Sequence, residues 1–191
     1  MVLNRVMLAA TAAAGLLLAA APGANAAEPF VLTSPAFADG GQIPVKHRGK
    51  LAGSAGCIGD NVSPALSWSN APAGTKSYAL LLVDPEGRGG SGVVHFLAYG
   101  IPPGLTALAE GELNQASDKF VFGKGSTAEP YYLGPCSTAA YPHHYTFLLI
   151  ANDLEPQELP AGLTRDELLA RLQGHAKGVT GLVGLWGRPL E

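Results

Sequence analysis

Three short stretches of this 191-residue chain carry the side chains that could do chemistry. In "LLVDPEGRGGSGVVHFLAY", Asp84 closes one apolar run, Glu86 follows Pro85, and His95 lies inside the next apolar run. In "YPHHYTFLLIAND", His143 and His144 precede Tyr145. The third stretch is "GPC", Gly134 to Cys136. Imidazole and phenol groups hydrogen-bond phosphate or carboxylate oxygens. A histidine beside a carboxylate is held in one tautomer and protonates more readily. Asp84 could therefore orient His95 or His143, and the protonated ring would face an anion, with tighter binding at acidic pH. The same groups could ligate zinc or form an acid–base pair. The structural alternative is a core histidine with a satisfied hydrogen bond, beside an ordinary Asp-Pro turn.

Short apolar runs between turn residues predict a mainly β chain. Candidate strands are "PFVLTSP", "ALSWSN", "SYALLLVD", "VVHFLAYGI" and "HYTFLLIAND", with a late "LVGLWG". "ALLLV" and "VVHFLAY" are apolar on both faces of the alternation, which predicts strands covered on both sides. The connection "PEGRGGSG" is short, so these two runs are expected to pair antiparallel and carry Asp84 and His95 to one region. Alternation places His143 on one face with Tyr145 and Phe147, and His144 on the other. One helix is expected from Thr164, where Thr164 and Glu167 have capping-box spacing and Leu168, Leu169 and Leu172 form an apolar stripe. Gly174 can stop it.

Residues 1–26 have the three parts of a cleavable export signal: Arg5, an Ala-rich apolar run, and Ala24-Asn25-Ala26. The run falls short of the roughly 20 residues of a comfortable membrane span. Residues 27–191 are then expected to form one exported domain, periplasmic or secreted. Without Arg5 it holds eleven basic and fifteen acidic residues, a net charge of −4. No Lys/Arg cluster stands out in the sequence, which argues against nucleic acid as a partner. Two cysteines, Cys57 and Cys136, are expected to pair in an oxidising compartment; free thiols are the alternative, and no CxxC spacing marks a zinc site. "GSGVV" is not a G-x-S-x-G nucleophile elbow, and "GRGGSG" lacks the Lys-Ser/Thr ending of a phosphate loop. No catalytic residue, metal or cofactor is therefore assigned.

Taken in order, "SPAFADGGQIPVKH", "CIGDNVSPALSWSNAPAGTKSYALLLVDPEGRGGSGVVHFLAYGIP", "GPC" and "HHYTFLLIAND" resemble the phosphatidylethanolamine-binding protein family, and within it the bacterial Raf-kinase-inhibitor-like branch. The resemblance runs from about Ser34 to the C-terminus. It implies an antiparallel β-sandwich with one or two peripheral helices and a small anion pocket at one end. It also implies ligand-binding roles for Asp84, Glu86, His95, Gly134, Pro135, His143 and Tyr145. Three positions depart from the family pattern. Glu86 replaces a shorter acid, His144 replaces an arginine, and Val93 stands where a tryptophan often precedes the pocket histidine. The resulting expectation is an exported binder of a small anion, a phosphate headgroup or a phosphorylated residue. The alternatives are an inhibitor or interaction protein acting on a kinase, protease or host factor, and, last, a metal-dependent enzyme.

Overall fold

The computed structural model describes residues 28–187. The expected leader, 1–26, lies outside them. The strands are β1 Val31–Thr33, β2 Gly41–Gln42, β3 Leu66–Ser69, β4 Ser77–Asp84, β5 Val93–Ile101, β6 Ala107–Leu108, β7 Val121–Phe122, β8 His143–Asn152 and β9 Ala176–Trp186. They form a three-stranded sheet, β1-β3-β6, and a six-stranded sheet, β2-β9-β8-β4-β5-β7. The pairings are antiparallel except at one edge, where β2 runs parallel to β9. The larger sheet is therefore mixed, not purely antiparallel as the family resemblance implied. Gly40 N–H donates to the Val183 carbonyl and Ile43 N–H to that of Leu185, which locks the segment alongside β9.

β4 is buried along nearly its whole length, because the six-stranded sheet is covered on both faces. One face carries Leu80, Leu82, Phe96, Ala98, Tyr145 and Phe147, and packs toward Trp68 and Leu66 of the small sheet. The other carries Ala79, Leu81, Leu97 and Tyr99, and packs under Leu159, Leu168 and Leu172. The second layer depends on the helix Arg165–Leu172, whose N-cap is Thr164 with the full reciprocal capping box to Glu167. Leu168 and Leu172 are buried and Gly174 follows with φ 83°.

β4 and β5 are antiparallel neighbours, so Asp84 lies opposite Val93. The register between them slips once near this end: Leu82 pairs with Phe96 but Val83 pairs with Val94, leaving His95 as the extra residue of a β-bulge. Simple alternation would put His95 on the face of Leu97 and Tyr99. The bulge brings it instead beside Tyr145, on the face of Leu82.

Candidate functional site

Asp84 is the centre of the constellation and is almost wholly buried. Its Oδ1 accepts from Gly87 N–H at 2.9 Å, and its Oδ2 accepts from His143 Nδ1 at 2.8 Å. A buried carboxylate needs such partners. Its acceptance fixes the proton on Nδ1 and leaves His143 Nε2 to face other groups. That atom is buried and has no hydrogen-bond partner. His95 repeats the arrangement with a different orienter, donating Nδ1–H to the Leu133 carbonyl at 3.0 Å. Burial pushes the His95 imidazole below its ordinary pKa, while the Asp84 charge opposes the shift. Each ring thus offers an Nε2 that accepts when neutral and donates when protonated.

Tyr145 is fully buried and packs against both rings, edge-on to His95 at 5.3 Å and stacked on His143 at 6.2 Å between centroids. Burial first, then the Asp84 charge, drive its pKa far up, so the phenol keeps its proton. Its hydroxyl has no hydrogen-bond partner, nor does the buried hydroxyl of Thr127. Tyr141 stacks on the outer side of His143 at 5.5 Å and is largely exposed. It gives the mouth an aromatic wall.

Around these groups lies a cavity of about 490 Å³ lined by Asp84, Glu86, His95, Thr127, Tyr141 and His143, with both Cys57 and Cys136 in its wall. The two cysteines form a disulfide across 79 residues of sequence. Gly134 and Pro135 do not line the cavity. Gly134 N–H is taken by Asn61 Oδ1, and the Pro135 carbonyl accepts from Gly49 N–H. They shape the wall by letting two backbones approach closely. Glu86 reaches the cavity while binding His144 twice, through Nδ1 at 2.7 Å and backbone N–H at 3.1 Å. Burial pushes this carboxyl up, but the His144 hydrogen bonds outweigh it and hold Glu86 below the usual range. His144, on the opposite face of β8, is therefore a partner of Glu86 and not a cation in the cavity.

Asp84, Glu86 and His143 place ligand-type atoms within 4.8 Å of one another. Both carboxylates already accept from imidazole nitrogens there, so hydrogen bonding accounts for the cluster. A cavity of similar size lies along Ala109–Lys119, but its charged Glu112 and Lys119 are paired with each other. Sequence reasoning did not find Thr127, Tyr141, Asn61 or the Leu133 carbonyl. All four sit in loops, where no periodicity points to them. Asn61 had one local sign, its place in a Gly/Asp/Asn-rich turn, and it adopts φ 61°.

The fold is thus a β-sandwich with an end cavity lined by an Asp-Pro turn, two histidines and a tyrosine. The chain belongs to the phosphatidylethanolamine-binding protein family, whose model matches residues 33–186. It is 37% identical over 162 residues to the Mycobacterium tuberculosis protein named as lipoprotein LppC, covering 84% of this chain and 74% of that one. It is 34% identical over 160 residues to the UPF0098 protein of Methanothermobacter thermautotrophicus, covering 82% and 98%. Among solved structures, Escherichia coli YbcL, described as a member of the mammalian family, superposes with a TM-score of 0.75 at 26% identity, covering 83% and 98%. A Chlamydia trachomatis homologue superposes at 0.70 with 31% identity, covering 83% and 97%.

Proposed function

We propose that the histidine cavity binds a small anion, a phosphate-bearing headgroup or phosphorylated side chain, and that the protein binds it without turning it over. The observation that carries this is the set of unpartnered buried atoms. His143 Nε2, Tyr145 Oη and Thr127 Oγ1 lie in or behind one cavity with no protein partner. Buried polar groups left unpaired in a fold are costly, and a ligand that pairs them recovers that cost. Phenol and hydroxyl donate at any physiological pH; the imidazoles donate once protonated. The anion therefore binds more tightly as pH falls.

Export is part of this reading. It is supported by the disulfide, by the lipoprotein name of one relative and by the leader pattern. Among the described residues no helix is long and apolar enough to cross a membrane. A protein partner docking over the mouth is the second reading, supported by Tyr141 at 62% and Ile58 at 62% exposure beside the cavity wall.

Phosphate and phosphoethanolamine titrated against the labelled protein should move the His95 and His143 ring signals, and more so in acid. Silent histidines at about millimolar ligand, a Kd worth roughly 4 kcal/mol, would sink the anion reading. Zinc bound in stoichiometric amount after chelator-free purification would favour the metal-enzyme alternative instead.

A further inference from the structure

A second cavity of about 360 Å³ adjoins the first, and the two share Arg88 and Val93 as lining residues. Three segments build it: the β4–β5 loop, residues 124–126, and the start of the helix at 164–166. Backbone bonds hold them together. Ser126 N–H donates to the Val94 carbonyl at 2.7 Å, and Lys124 N–H donates to that of Leu163 at 2.8 Å. Arg88 Nη2 donates to the Ser126 carbonyl at 2.5 Å, which fixes the guanidinium between the two cavities. Arg88 adopts φ 52°, a conformation rare for a side-chain-bearing residue, so the loop spends strain to place it there.

Arg88, Lys124 and Arg165 all line this space, against Asp166 as the one acidic side chain in the lining. The chain as a whole has a net charge of −3, so three cations at one cavity run against its overall sign. Lys124 and Arg165 have no ion-pair partner among the described residues. The Ser91 hydroxyl also lines the space, whereas that of Thr164 is taken by Glu167 in the helix cap. The donor set is that of an anion site, and guanidinium is the group best matched to phosphate oxygens. Val93, like Arg88, lines both cavities, so the two spaces meet at this end of β5.

We propose that this basic cavity is a second anion subsite, so that the ligand is a molecule with two anionic groups, phosphate or carboxylate, joined by a short spacer. One group sits against His95, His143 and Thr127, and the other against Arg88, Lys124 and Arg165. The proposal rests on the anion reading of the histidine cavity. It also gives the site the permanent cations that His144 does not supply.

The test uses methylphosphonate and a ladder of α,ω-alkane bisphosphonates of increasing spacer length, titrated at low ionic strength with histidine NMR as readout. Linking two groups adds affinity only when the spacer matches the span. The expected result is a gain of about tenfold or more over methylphosphonate at one spacer length, falling away on either side. The doubly substituted Lys124→Ala/Arg165→Ala protein should lose that gain and keep its methylphosphonate affinity within about twofold. Both residues are exposed, so folding should be unaffected. If methylphosphonate moves the histidines but no spacer improves on it, or the gain survives the double substitution, the second subsite is overturned and the anion cavity stands. If methylphosphonate leaves His95 and His143 unmoved, the anion reading fails and the two-group proposal falls with it.

Discussion

Burial holds the His95 imidazole below its usual titration range, and the Asp84 charge only partly offsets this. The unfolded chain therefore takes up that proton first as pH falls below the reference value of 6.5. The unfolded state then binds more protons than the native one, so stability falls on acidification, from about pH 6.5 downward. Melting temperature measured against pH should show this loss, and His95→Asn, which keeps a donor for the Leu133 carbonyl, should flatten it. Phosphate, by pairing the protonated ring, should restore stability more in acid than at neutral pH. A phosphate-induced shift that is equal at both would contradict the protonated-imidazole contact. At this scale the site was partly legible. Asp84 and His143 fell where a carboxylate at a strand end and a strand-alternation argument put them. His95 did not follow alternation, because the extra bulge residue turns it across the sheet, and one-residue slips leave no mark in the pattern of apolar residues.

The walls of the cavity are loops held by glycine contacts as much as by side chains. A Cβ on Gly134 would run into the His47 carbonyl oxygen and lie 2.8 Å from the Arg48 carbonyl carbon and Gly49 nitrogen, all backbone atoms that cannot swing aside. Gly134→Ala should cost about 1–3 kcal/mol in urea unfolding, the range for overpacking. It should also shift the His95 ring signals, because the neighbouring Leu133 carbonyl orients that ring. Unchanged stability would mean that the two backbones part easily. Strands β4, β5 and β8 and the helix were readable from the sequence because long apolar runs and a capping box are strong local signals. The parallel placement of β2 was not. It spans Gly41–Gln42, and its position comes from hydrogen bonds to β9, more than 140 residues away in sequence.

Across the whole molecule, a six-stranded sheet sealed on both faces forms a rigid slab, and the cavity sits at one end of it, where loops meet. The Cys57–Cys136 bond ties two of those loops together. Replacing both cysteines by serine should cost about 4–5 kcal/mol in the chain-entropy picture, read as a lower urea midpoint. Phosphate affinity should fall as well, because both residues belong to the cavity wall. The same bond gives the backbone the topology of a closed ring, with everything from Cys57 to Cys136 on its circumference. Arg88 lies on that ring in an exposed turn between β4 and β5. A tryptic nick after Arg88 would open the ring without releasing a piece. The product should migrate as one species without reductant and as two with it. Such a nicked molecule would still hold β4 beside β5, but with the tether of its basic side chain severed on one side.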